Sequence, residues 1–455
     1  MPCCVFSSAV GFAVSARMSL LSRLGRKRLC WKGFRVILLT SIFLSIAVLV
    51  SNVVMNQRPS RIQESQDAFK FKEEPEIQRA APVFYEEKER PLPTGGDNKK
   101  RLNLIIVAHG RSGSTFLGNI FNHHPSVFYL FEPYQTVERL VGTQAPYNQH
   151  YQETAFRWMQ GIFQCDFVSA AHVDDLQSYY RKKYAENYNP MKSLVLLSPP
   201  FCRYNTTDPR WALESCPPLD QQTMEDECKN EYSITVVKVL ITRMPEQNLK
   251  QLFSICETSN QFECKFIFLV RDPRGIIPSS RAVGFYGDND RTALNGTQQF
   301  SKNICGLTEA NLNIIRSLRS LEKSQLMLLR YEDLAANPLK TLPSLLKFAG
   351  LPMDESLSKW LYLASHLPET ESERKAARWR QDSQEGAERW RWKVNPGTIS
   401  VIEHHCEHVM NVLGYIPVNG SRQLQTNLSA SLLKDNYEAL QWLNDQSTSL
   451  QFNFD

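Results

Sequence analysis

Several things missing from these 455 residues narrow the choice of protein class. There is no Cys-x-x-Cys pair, which removes zinc-ribbon and thioredoxin-like readings. There is no internal repeat, and glycine (20) and proline (24) are near average, so solenoid, collagen-like and low-complexity chains are excluded. No acidic residue precedes Glu64, whereas residues 1–63 hold nine Lys/Arg, leaving 43 basic and 47 acidic side chains in the other 392. The net charge of +5 therefore belongs to the N-terminus and reports on topology. The body of the chain has no excess of positive charge, and no nucleic-acid partner is expected.

What is present is enough apolar material for a large core: 42% hydrophobic and 11% aromatic residues. One run stands apart. Val36–Val54 is 19 residues without a charge, the length of a membrane-spanning helix, and Arg23, Arg26, Lys27, Arg28, Lys32 and Arg35 crowd its N-terminal side. The positive-inside rule predicts a cytoplasmic tail at 1–35, a signal-anchor at 36–54 and translocation of everything beyond. Residues 55–99 are polar, lack periodicity and read as a flexible stem. A globular domain is expected over 100–418 and a tail over 419–455. Glycosylation sequons at Asn205, Asn295, Asn419 and Asn427 all follow the apolar run. So do eight of the 11 cysteines, an even number in a compartment that permits disulfides. The spacings of Cys202, Cys216 and Cys228, and of Cys256 and Cys264, suggest local loops. His404, His405, Cys406 and His408 resemble a metal cluster, but Cys406 is better placed for a disulfide, and no metal is expected.

From residue 102 the texture changes. Leu102–Ala108 is an apolar, β-branched run, and Phe116–Phe121 has helical spacing. Between them lies His109-Gly-Arg-Ser-Gly-Ser-Thr115. A strand, a glycine-containing loop and a helix make an anion cradle, because amides at the helix start point at the anion. Gly110 and Gly113 allow close approach, Ser112, Ser114 and Thr115 add hydroxyls, and Arg111 adds a forked charge. Lysine is missing before Ser114, so this is not a nucleoside-triphosphate loop. A second strand, Lys265–Val270, runs into Arg271-Asp-Pro-Arg-Gly-Ile-Ile-Pro-Ser279, an arginine-rich turn able to hold a second phosphate. A third, Gln325–Arg330, is followed by Tyr331-Glu-Asp-Leu334.

Three blocks, Arg111-Ser-Gly-Ser-Thr-Phe116, Leu269-Val-Arg-Asp-Pro-Arg-Gly275 and Leu329-Arg-Tyr-Glu-Asp-Leu334, resemble the signature blocks of the Golgi carbohydrate 6-O-sulfotransferases. Phe128-Tyr-Leu-Phe-Glu132-Pro, Trp390-Arg391 and Leu413-Gly-Tyr415 fit the same frame. The resemblance implies a single α/β domain with a central parallel sheet and a P-loop-like cradle, behind a type II Golgi anchor. It implies 3′-phosphoadenylyl sulfate as sulfuryl donor, with Gly110 through Phe116 at the 5′-phosphosulfate. Arg271 and Ser279 are implied at the 3′-phosphate, and Trp390 and Arg391 in a segment closing over the nucleotide. The acceptor implied is a glycan or proteoglycan chain, and a homodimer stays open. The chain departs from the family in ending its first strand Ala-His-Gly, and in following Lys238 with Val239-Leu240, the next arginine being Arg243.

For in-line sulfuryl transfer the residues expected at the chemistry are Arg111, Lys238 and Glu132. Glu132 follows the apolar run Val127–Phe131 and is the expected base, its apolar neighbours Phe131 and Pro133 raising its pKa. A turn-capping role for Glu132 is the alternative. Two other functions stay open: sulfation of another acceptor such as protein tyrosine, and an inactive glycan-binding protein of the same fold.

Overall fold

The computed structural model describes residues 100–142, 148–181, 192–202, 216–283, 294–318, 324–365 and 383–444. Residues 79–455 form one unit, to which everything below refers; the tail, the apolar run and the stem at 1–99 lie outside the described residues. Among the described residues, no helix is long and apolar enough to cross a membrane.

Five parallel strands form the sheet: β1 (Arg101–Ala108), β2 (Val127–Phe131), β3 (Ile234–Leu240), β4 (Phe262–Val270) and β5 (Leu326–Arg330), in the order β2-β3-β1-β4-β5. Their near-continuous apolar sequences follow from burial on both faces. Leu104, Ile106 and Ala108 of β1 face one core, formed with the helices Ser114–Asn122, Pro338–Ala349 and Glu355–Ser365. Ile105 and Val107 face the other, formed with Gln149–Gln164, Lys250–Glu257, Leu294–Arg316 and Pro396–Val412.

The chain leaves β1 toward one edge and, after β3, crosses to the other side of β1. That divergence opens a crevice at the carboxyl ends of the strands, where α/β sheets bind ligands. His109–Gly113 follows β1, Glu132 follows β2, Arg271 follows β4 and Tyr331 follows β5, so the three signature blocks and Glu132 emerge at this edge.

All eight cysteines beyond the stem are paired: Cys165–Cys228, Cys202–Cys216, Cys256–Cys264 and Cys305–Cys406. Two of the expected local loops close, while Cys228 reaches back to Cys165. The fourth bond joins the helices Leu294–Arg316 and Pro396–Val412, which takes Cys406 out of the histidine cluster. Residues 419–444, expected as a tail, belong to the domain. Tyr415 bridges to Leu433, the Lys434 amide donates to the Gly414 carbonyl at 2.8 Å, and Tyr437, Ala439 and Leu443 are buried in the core. Tail composition is a poor guide when a few large side chains dock.

Candidate active site

The helix Ser114–Asn122 begins at Gly113 (φ 82°) with no side-chain cap; the Phe116 amide donates to the Gly113 carbonyl at 2.9 Å, and the amides of Gly113, Ser114 and Thr115 stay available to an anion. Arg111 also lies in the left-handed region, at φ 68°. A non-glycine residue there costs about 1–2 kcal/mol and aims the preceding backbone and the side chain into the crevice. Gly113 has no alternative: a Cβ would stand 2.1 Å from the Tyr331 ring. In the same loop Ser112 is fully buried, and its hydroxyl has no partner among the described residues.

The loop after β4 meets this one. Arg271 donates through Nη1 to the Arg111 carbonyl at 2.7 Å, and Arg111 donates through Nε to Ser279 Oγ at 3.0 Å. The residues expected at opposite ends of one ligand are therefore neighbours. Two guanidinium groups converge here, and no carboxylate among the described residues pairs with either. Burial, and next the Arg271 charge, hold the Arg111 pKa below its usual value. Such a pair is relieved by an anion between its members. Arg271 Nε and the buried Ser280 hydroxyl are likewise without partners among the described residues. The donor set suits a nucleotide carrying two separated phosphates.

Next to Arg271 the chain switches to structural work. Asp272 caps the helix Pro273–Ala282 by accepting from the Arg274 amide at 2.8 Å. The fully buried Arg274 guanidinium pairs with Asp272 (2.7 Å) and Glu403 (2.8 Å) and stacks on Trp390, 4.2 Å from the ring centroid. This corrects the expectation for Trp390 and Arg391, which do not face the cradle. Arg391 is buried, paired with Glu388, and donates to the carbonyls of Gln425, Asn427 and Ala430, holding residues 422–430. The late segment touches the cradle through Gly386 instead, whose carbonyl accepts from Arg271 Nη2 at 2.9 Å.

Glu132 stands after β2 with φ 50°, one strand removed from β1 and so about 10 Å along the sheet edge. It is 6% exposed, yet its environment is cationic. Lys238 donates to Oε1, while Arg243 Nη1 (2.8 Å) and Gln135 donate to Oε2. The expectation that apolar neighbours raise its pKa is corrected. Burial does push upward, but Lys238 and Arg243 outweigh it and hold the carboxyl below its usual value. Lys238 is inside β3, 2% exposed, with its ammonium 4.2 Å from the Phe131 ring centroid. Arg243 also pairs with Glu138 at 2.8 Å. Beyond Glu132, Gln135 leads to Arg139, which grips Asp175 with two bonds (2.6 and 2.7 Å) and lies 4.2 Å from the centroid of Tyr179. Lys192 lies 3.7 Å from the same centroid, its pKa brought down to about 8 chiefly by burial.

Arg243, Tyr331 and Gly386 are the contributors that sequence reasoning missed. Tyr331 had a usable signal, since it follows a strand directly. Arg243 had a partial one, because it is the first cation after Lys238. Gly386 contributes only a carbonyl and had none.

Comparison with known proteins places the chain in a family. The sequence model of the sulfotransferase family matches residues 103–355. Carbohydrate sulfotransferase 1 of Danio rerio is 27% identical over 366 residues, covering 74% of this chain and 83% of the relative. Carbohydrate sulfotransferase 6 of Homo sapiens is 27% identical over 364 residues, covering 75% and 87%. Among solved structures, the sulfotransferase domain of the Synechococcus PCC 7002 olefin synthase is similar at 17% identity and a TM-score of 0.34, covering 70% of this chain and 98% of that domain.

Proposed function

This chain belongs to the sulfotransferase family, and from that premise we propose that it transfers a sulfuryl group from 3′-phosphoadenylyl sulfate to a glycan hydroxyl, the 6-OH of galactose, N-acetylglucosamine or N-acetylgalactosamine. The observation that carries this reading is the convergence of Arg111 and Arg271, unpaired with any described carboxylate, over an uncapped helix start. The reading also takes Val36–Val54 as a Golgi signal-anchor with the domain in the lumen. Four disulfides in the domain support that compartment.

In this mechanism Arg271 and Ser279 hold the 3′-phosphate. Arg111, Ser112, Ser114 and Thr115 hold the 5′-phosphosulfate with the amides of 113–115. The acceptor oxygen attacks sulfur in line, the bond from sulfur to the bridging oxygen breaks, and adenosine 3′,5′-bisphosphate leaves with the electron pair. The hydroxyl proton passes to Glu132. A carboxyl held low by Lys238 and Arg243 is ionised throughout the neutral range and so is always in the accepting form. Its weak basicity suffices because the hydroxyl becomes acidic as its oxygen bonds sulfur. Lys238 keeps the carboxylate aimed and lends positive charge to the reacting oxygens.

The acceptor lies on the β2 side, along Gln135, Arg139, Tyr179 and Lys192. Arg139→Ala is expected to raise the acceptor KM about threefold to tenfold and leave the donor KM unchanged; steady-state kinetics with each substrate varied in turn would check this. Gly113→Ala is expected to weaken donor binding more than tenfold, since the methyl group and the Tyr331 ring cannot share the space; calorimetric titration with adenosine 3′,5′-bisphosphate reads it. The function itself is tested by incubating the protein with labelled donor and defined oligosaccharides, with a tyrosine peptide as control. Mass spectrometry of the products should place sulfate at a sugar C6. Sulfate on the peptide alone would favour the tyrosine reading.

A further inference from the structure

Directly beneath the Arg271 loop lies a carboxyl that the mechanism above does not use. Glu332 follows β5 and is buried. Its Oε1 accepts from the Asp272 amide at 3.0 Å, the amide next to Arg271. Its Oε2 accepts from the Tyr415 hydroxyl at 3.0 Å, beyond the end of the helix Pro396–Val412. One carboxyl therefore ties the donor loop to the C-terminal part of the domain. The charged and titratable groups around it come from three parts of the fold and from its own segment. Arg271, Asp272 and Arg274 come from the β4 loop and Glu403 from the long helix. Tyr415 and Tyr437 come from the C-terminal segment, and Arg330, Tyr331 and Asp333 from its own. Three of these cations are already engaged with other partners. Arg274 pairs with Asp272 and Glu403, Arg330 pairs with Asp333, and Arg271 points at Arg111 and Gly386. Glu332 is left beside the Asp272 carboxylate with hydrogen bonds but no ion pair among the described residues.

We propose that Glu332 is a proton-linked positioning residue for the donor: it is neutral when the nucleotide is bound, and binding draws a proton onto it. The inference rests on the reading that Arg271 holds the 3′-phosphate. An incoming phosphate places negative charge above two carboxyls, and only Glu332 can discharge without breaking an ion pair. Burial, and next the Asp272 charge, have raised its pKa to about 7, so the change falls in the neutral range. The sign is fixed. Lowering pH protonates Glu332, removes a charge from beneath the phosphate and favours binding.

The test is calorimetric titration of the wild-type protein with adenosine 3′,5′-bisphosphate at pH 7, in buffers of different ionisation enthalpy. Bringing a phosphate onto guanidinium groups by itself releases protons, because it lowers the phosphate pKa. Net uptake is the expected result, and net release or no exchange overturns the proposal. A second arm measures the ratio of wild-type to Glu332→Gln affinity between pH 6 and pH 8. That ratio should fall about fivefold across the range, the order expected of one nearby charge at an effective dielectric of about 20. A ratio independent of pH also overturns the proposal. Complete absence of nucleotide binding by the wild-type protein would instead overturn the reading of Arg271 on which this one rests.

Discussion

Glu132→Gln lowers kcat by about 100-fold or more, the range in which general-base residues act, and leaves the donor KM within a factor of about three. The reasons are on the sheet edge. Glutamine keeps the shape and one acceptor oxygen for Lys238 or Arg243, but it cannot take a proton. The substitution also leaves two cations facing a neutral group, with Lys238 only 2% exposed. Breaking one side of a buried ion pair costs about 3–5 kcal/mol, so melting temperature falls together with turnover and both must be measured. A companion change separates chemistry from stability. Lys238→Met removes the main charge that holds the Glu132 pKa down. The carboxyl then protonates at higher pH, and the acidic limb of the rate profile moves toward neutrality. A merely structural Glu132 would give an unshifted profile, and wild-type turnover in the glutamine variant would show that the base lies elsewhere.

Arg271→Ala raises the donor KM by about 30-fold, corresponding to about 2 kcal/mol for a lost charge-assisted contact. The effect on kcat is smaller, because the 3′-phosphate is remote from the bond that breaks and its binding is shared by ground and transition states. Arg271→Lys should recover only part of the loss. The guanidinium bridges the Arg111 carbonyl (2.7 Å) and the Gly386 carbonyl (2.9 Å), a fork that an ammonium group cannot reproduce. An unchanged donor KM in the alanine variant would remove Arg271 from the donor site and with it the pairing of the two loops.

The parallel sheet was readable in advance because its strands, buried on both faces, are short apolar runs with few rivals in the sequence. Leu102–Ala108 and Val127–Phe131 were located to within a residue of the observed strands. β3 was harder to read, because Lys238 interrupts its apolar run; the side chain lies against Phe131 and reaches Glu132 while the ladder continues to Leu240. The glycine loop was legible because backbone geometry restricts which residues can form it. What sequence could not convey was charge context. The apolar neighbours of Glu132 lie next to it in the chain, whereas Lys238 and Arg243 reach it across more than 100 residues. Trp390 and Arg391 misled for the related reason that an aromatic–cation pair reads alike whether it grips a ligand or a buried arginine and a loop. The folding of 419–444 onto the domain rests on carbonyls held by Arg391 and on scattered side chains such as Tyr437 and Leu443, too sparse a pattern to stand out from a tail.

The central claim is that Arg111 and Arg271 hold one nucleotide between them. A double-mutant cycle on adenosine 3′,5′-bisphosphate binding, using Arg111→Ala, Arg271→Ala and the double variant, tests it most directly. The account predicts tight binding by the wild-type protein, loss in each single variant, and a double variant that departs from additivity by about 1 kcal/mol or more, since the two guanidinium charges lie close enough to act on each other and share one anion. Additive losses, or binding indifferent to both changes, would contradict it.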